Sequence, residues 1–230
     1  MKKLYFLLAG ICFFGSVNAQ IINFPDANFK ARLLSSNLGE IAVVGGDLLG
    51  NRIIIDLNND GEIQIEEANN PNIKRIYLQN SNIQDLTGIE NFKYLEEIDC
   101  SNNSITLLNV TSLNYLKRLD CRSNQLISLN CSQLTNLDSV TCQNNFLTNI
   151  DLNGCTKLRV LWIFNNLLAS LNIKGLVNLE QFDASNNKIV SFIFDVATNL
   201  GELSLENNLL KTLDLSSLKQ LKGLDCSNNK

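Results

Sequence analysis

The sequence predicts an α/β-type, mostly β solenoid. It should form an arc of about eight stacked coils, with parallel strands on the concave side and extended or 3₁₀ segments on the convex side, and carry a small helical cap at its N-terminus. Three observations carry this reading. A pattern of apolar-x-x-apolar-x-apolar-x-x-Asn-x-apolar aligns eight segments, starting at Ile73, Leu95, Leu116, Leu137, Leu158, Leu179, Leu200 and Leu221, with Ser81 for the Asn in the first and the eighth one residue short. The first step is 22 residues and the next six are 21 residues each. Within each segment apolar and polar residues alternate, which is the period of a strand with one buried face.

Residues 1–19 are expected to lie outside the fold. Lys2 and Lys3 precede an apolar run, and Val17-Asn18-Ala19 is a small-x-small cleavage signal, so the segment reads as a secretory signal peptide cut after Ala19. Cys12 follows Ile11 where a lipoprotein signal needs a small residue, which argues against lipidation. No later segment holds the roughly 18 unbroken apolar residues of a membrane span. The formal charge is −4, and loss of Lys2 and Lys3 makes it −6. An acidic chain without basic runs is a poor partner for nucleic acid or anionic lipid. The absence of histidine removes the commonest general base and the usual partner of a nucleophilic Ser or Cys.

Residues 20–72 carry no repeat and form the expected cap. In "PDANFKARLLSS", Asp26 is a suitable N-cap and Phe29, Leu33 and Leu34 share one helical face. After a glycine-bearing stretch comes "DLNNDGEIQIEE", which matches D-x-[DN]-x-[DN]-G-x₅-E in full. Asp56, Asn58 and Asp60 fall at positions one, three and five, and Gly61 supplies the sharp turn. Glu62 offers its backbone carbonyl, Ile63 an apolar anchor, Gln64 a water-mediated ligand and Glu67 a bidentate carboxylate. Hard oxygen donors at this spacing suit Ca²⁺ in a structural role. The alternative is a plain hairpin of "IIIDL" and "EIQIE" around "NNDG", which would need neither Asp56 nor Glu67.

In the repeats of residues 73–230, asparagines 103, 124, 145, 166, 187, 208 and 229 turn the chain inward, with Ser81 at the first such position. Their amides are expected to bond backbone groups of their own and neighbouring coils. On the return side, Leu129, Cys131 and Leu134 match Ile150, Leu152 and Cys155, and 21 residues leave no room for a full helix. The first coil carries the extra residue in "QDLTGIENFKYL", where a turn of helix is expected. Cys100, Cys121, Cys142 and Cys226 share one inward strand position, and Cys131 and Cys155 take inward convex positions. They read as small buried hydrophobes rather than a disulfide framework or metal site.

The outward strand positions are mostly polar. They include Asp99 and Ser101, Asp120 and Arg122, Thr141 and Gln143, and Asp183 and Ser185. Trp162 and Phe164 break this rule, and Phe146 and Leu167 follow asparagine turns nearby. Trp162, Phe164, Phe146, Thr141, Gln143, Arg122 and Asp183 are therefore the candidate partner-binding residues. The adjacent Asp99 and Asp120 have the separation of a retaining glycosidase pair. The same Asp recurs at 183 and 225 in a repeated unit, so nothing marks one pair as catalytic.

From Ile73 to Lys230 the sequence resembles the leucine-rich repeat proteins. "DLTGIENFKYLEEID" is similar to bacterial internalin-type repeats, and the "LDCSNN" units are similar to secreted leucine-rich repeat proteins of Bacteroidetes. The loop at Asp56 resembles an EF-hand or dockerin-type loop, with the departure that only one is present. The resemblance implies a curved solenoid for protein or surface recognition, in a group where a C-terminal sorting domain is common. None is visible, and the chain ends ten residues into its eighth unit, as expected for a fragment or cut gene. The expected function is a secreted or cell-surface, non-catalytic module that recognises a protein through its concave face. The alternative is a surface-glycan module with Trp162 and Phe164 as a stacking platform. Nucleic acid binding and membrane insertion are not expected.

Overall fold

The computed structural model describes residues 19–37, 45–193 and 199–230. The signal peptide reading falls on residues outside this set, apart from Ala19. The cap contributes helix α1 (Ala27–Leu34), strand β1 (Gly45–Gly46) and helix α2 (Ile65–Ala68). The repeats follow as β2 (Arg75–Tyr77), β3 (Glu97–Asp99), β4 (Arg118–Asp120), β5 (Ser128–Asn130), β6 (Ser139–Thr141) and β7 (Asn149–Asp151). They continue as β8 (Val160–Trp162), β9 (Ser170–Asn172), β10 (Gln181–Asp183), β11 (Ser191–Ile193), β12 (Glu202–Ser204) and β13 (Gly223–Asp225).

Among the described residues, nine strands form the main sheet in the order β1-β2-β3-β4-β6-β8-β10-β12-β13. Strand β1 runs antiparallel to β2, and the other neighbours are parallel and in register. Each predicted coil thus supplies one parallel strand. The middle residues Ile76, Ile98, Leu119, Val140, Leu161, Phe182 and Leu203 form one buried row. Leu78, Cys100, Cys121, Cys142, Ile163, Ala184 and Leu205 form a second. A single coil could not shield either row, and full burial of one such side chain is worth about 1.5–3 kcal/mol.

The convex side is extended, and part of it pairs: β5 with β7, and β9 with β11, all parallel. Turns follow β5, β7 and β9, where Asn130, Asp151 and Asn172 each accept the backbone N–H two residues on, at 2.9, 2.9 and 3.0 Å. The longer first coil spends its extra residue on one 3₁₀ turn, Ile89–Asn91.

The asparagine ladder takes the expected form. Asn145 Nδ2 donates to the carbonyls of Cys121 and Cys142 at 3.0 and 3.1 Å, and its Oδ1 accepts the Leu126 N–H at 3.0 Å. Asn124, Asn166, Asn187 and Asn208 repeat this pattern. The hydroxyl of Ser81, at the first position, donates to Gln79 O within its own coil, while its backbone N–H donates to Asn103 Oδ1 of the next. The residue before each ladder position, from Asn80 and Asn102 to Asn207 and Asn228, has φ of 53–57°. Asn and Ser tolerate this left-handed conformation at the turn.

The cap docks onto the first coil through Asp26. Its Oδ1 caps α1 by accepting from the N–H groups of Asn28 and Phe29, while its Oδ2 accepts those of Gln84 and Asp85 at 2.6 and 3.1 Å. Beside it, Gly88 has φ of 109°, and a Cβ there would stand 2.6 Å from the Phe24 ring. Phe29 and Leu33 are fully buried, whereas Leu34 is only partly so.

Candidate functional site

Two places answer to the sequence-predicted sites. The first is the loop Asp56–Glu67. Its two arms do not pair with each other. Instead Ile63 O accepts the Ile22 N–H at 2.9 Å, Gln20 O accepts the Ile65 N–H at 3.0 Å, and Glu67 belongs to α2. The hairpin alternative is therefore not what forms. Ile63 is buried as its anchor role requires.

The loop is closed by its own side chains. Asp56 accepts from the N–H groups of Asp60 and Gly61 at 3.3 and 3.1 Å. Asp60 Oδ1 accepts the Glu62 N–H at 2.8 Å, and its Oδ2 accepts from the amides of Asn58 and Gln64, both at 2.9 Å. Glu67 Oε1 accepts the Leu57 N–H at 2.7 Å and its Oε2 the Gln64 N–H at 2.9 Å. The Glu62 side chain turns away to pair with Lys30 at 2.7 Å. The oxygen donors that Ca²⁺ prefers are present, but they face backbone N–H groups. Among the described residues, no three acidic, His or Cys side chains gather closely enough to hold a metal ion.

The second place lies on the concave face. Parallel register sets Trp162, Asp183, Ser204 and Asp225 side by side on β8, β10, β12 and β13. They line a depression of about 580 Å³ together with Gln143, Phe164, Glu202 and Gly223. Trp162 is 38% exposed and Phe164 is half-buried. Of the predicted residues, the structure brings Trp162, Phe164, Gln143 and Asp183 together here. Thr141, Arg122 and Phe146 do not line the depression. Phe146, 53% exposed, sits past its asparagine turn on the flank.

The outward positions differ from expectation in one respect. Gln143, Ser101 and Ser185 were expected to project from the face, yet all three are buried. Each lies where its strand bends into the asparagine turn, so coils about 4.8 Å apart cover it on both sides. Gln143 is 5% exposed, and its Oε1 has no hydrogen-bond partner.

The outward aspartates have a backbone role. Asp99, Asp120, Asp183 and Asp225 each accept the N–H two residues on, at 2.9–3.2 Å. Burial raises the carboxyl of Asp120, with Asp99 beside it adding to the effect. Hydrogen bonds from Ser227 hold Asp225 below the usual carboxylate range. Sequence reasoning missed Glu202 and Gly223, which face this depression two positions before Ser204 and Asp225 on their strands. Strand phase alone could have found them.

No protein-family model and no curated protein matches the chain. Solved structures do. The functional domain of InlJ from Listeria monocytogenes, described as including a cysteine ladder, is 29% identical with a TM-score of 0.64. The match covers 92% of this chain and 48% of that one, so the chain spans about half the length of its relative. The internalin InlF from L. monocytogenes is 18% identical with a TM-score of 0.50, covering 90% of this chain and 70% of that one. The leucine-rich repeat protein LIC12759 of Leptospira interrogans is 21% identical with a TM-score of 0.52, covering 72% and 57%. The chain has the fold of a leucine-rich repeat solenoid, similar to the bacterial internalin-type proteins.

Proposed function

We infer that the chain is a secreted or cell-surface, non-catalytic module that recognises a protein partner through its concave face. One observation carries this: an exposed Trp162, with Phe164 beside it, walls an open depression on a strand face that is mostly polar. Solenoids bind through such faces, and aromatic anchors commonly contribute 2 kcal/mol or more to an interface. Secretion rests on the leader pattern of residues 1–19. The described residues contain no helix long and apolar enough to cross a membrane.

The test is Trp162→Ala with Phe164→Ala, against Ile127→Ala on the flank as control, each used to capture partners from the cell's surroundings. The double variant should melt like the parent and lose the partner that the control keeps. If it folds and still captures that partner, the recognition surface lies elsewhere. A glycan array read with the same three proteins decides the stacking-platform alternative: sugar binding lost only in the double variant would favour it.

The loop Asp56–Glu67 is, on the same reading, a structural calcium site, supported by the spacing of Asp56, Asn58, Asp60, Glu62 and Glu67 in the sequence. An ion would compete for Glu67 with the N–H groups of Leu57 and Gln64. Affinity at the weak, extracellular end of the range is therefore expected, on the order of 10⁻⁴ to 10⁻³ M.

A further inference from the structure

We propose that the depression beside Trp162 receives a cationic side chain, lysine or arginine, from a basic segment of the partner. This rests on the concave-face reading and adds the chemistry of what is recognised. The ring of Trp162 starts a row that continues through Asp183, Ser204 and Asp225 on successive strands. With strands about 4.8 Å apart, the two aspartates stand roughly 10 Å apart across the small Ser204. Glu202 adds a third carboxylate from the neighbouring row, and no lysine or arginine lines the depression.

The rest of the face treats its acids differently. Glu97 pairs with Arg75 and Arg118 at 3.4 and 3.2 Å, and Asp120 pairs with Arg122 at 3.2 Å. Over β2 to β4 the face pairs Glu97 and Asp120 with its own arginines, and among the described residues Asp99 is the one carboxylate there without an ion pair. From β8 onward its outward strand residues include no lysine or arginine: they are aromatic, acidic or small, apart from the neutral Val160 and Gln181. Asp183, Glu202 and Asp225 form no ion pair among the described residues, and their charge is left for a ligand to balance.

A second, independent observation points the same way. Gln143 lines the depression, is 95% buried by its 5% exposure, and its Oε1 lacks a donor. An acceptor held this way suits an incoming N–H. An ammonium or guanidinium group beside Trp162 would meet its ring and the adjacent Asp183 carboxylate, and Glu202 and Asp225 stand further along the face for the next cation of a basic segment. An anion would be repelled by all three carboxylates, and a neutral sugar would leave their mutual repulsion unrelieved.

The probe is a fluorescent oligo-arginine peptide, with Gly-Ser and oligo-glutamate peptides of equal length beside it, followed by anisotropy at low and high salt. The test variant is Asp183→Asn with Asp225→Asn, which keeps an acceptor for the N–H groups of Ser185 and Ser227. Asp151→Asn with Asp214→Asn, on the convex side, makes the same change of charge and serves as control. The parent should bind oligo-arginine at least about tenfold more tightly than Gly-Ser, a difference on the scale of one desolvated cation–π contact. Asp183→Asn/Asp225→Asn and Trp162→Ala should each remove most of that preference, while the convex control keeps it. Equal loss in the concave and convex pairs would mean general attraction to an acidic protein and would overturn the proposal. So would an oligo-arginine affinity no better than Gly-Ser. If the captured partner is lost with Trp162→Ala/Phe164→Ala but not with the Asn pair, the concave-face reading stands and the cation assignment fails. Loss with neither sinks both.

Discussion

Asn145 shows how much one side chain does in this fold. It ties three segments: its own coil at Cys142, the preceding one at Cys121, and the turn at Leu126. Both nitrogen and oxygen are buried, so removing the amide strands backbone groups that water cannot reach. Leaving one buried polar group unsatisfied costs about 1–3 kcal/mol. Asn145→Ala should therefore lower stability by about 2–4 kcal/mol in urea unfolding, and Ser81→Ala, which loses one local bond, by well under half of that. A small loss at Asn145 would mean that water replaces the amide. The ladder asparagine was legible because its period is fixed. Its left-handed predecessor was visible only as the first letter of a repeated doublet. The double role of Asp26 was not legible at all, since its second pair of donors lies 58 and 59 residues away.

At the scale of elements, short strands and polar turns were readable wherever the period of two persisted. β1 was not, because two glycines carry no side-chain pattern and their pairing with β2 is set by the cap alone. The calcium loop belongs to this scale. Its residues were legible from spacing, but where their oxygens turn was not, because each has a choice of N–H or ion. Ca²⁺ should raise the melting temperature of the parent relative to equal Mg²⁺, and Glu67→Gln should abolish the difference while sparing the fold. Ligand at a hundredfold excess over its Kd stabilises by about 2.7 kcal/mol. Absence of any shift at about ten millimolar, tenfold above the weak end of such sites, would leave a loop held by its hydrogen bonds alone.

Across the whole molecule the core is a set of rows running from coil to coil, and the cysteines are entries in those rows. Cys100, Cys121, Cys131, Cys142 and Cys155 are buried, whereas Cys226, directly after β13, is exposed. That corrects the expectation that all six would be shielded: among the described residues no strand packs over β13. Burial pushes the thiols of Cys100 and Cys131 well up, a hydrogen bond with Cys142 followed by burial does the same for Cys121, and Cys155 is raised to about 11. Thiolates are the reactive form, so a thiol reagent at neutral pH should label Cys226 at once and the other five only on unfolding. A mass spectrum of unreduced protein showing a disulfide among the five would contradict this. The fold was legible at this scale because a repeat imposes its register on every row. The binding depression was only partly so: Trp162 announced itself, but its neighbours come from strands 21 residues apart and no local motif links them.

The asparagine ladder has a consequence for how such a chain changes over generations. Each ladder amide bonds only its own coil and the one before it, 24 residues back at most. An in-frame duplication or loss of one 21-residue unit would meet compatible partners on both sides and leave every other rung as it was. Selection is then free to slide the aromatic and acidic patch along the arc, or to lengthen the reach between patch and cap, without redesigning the interior.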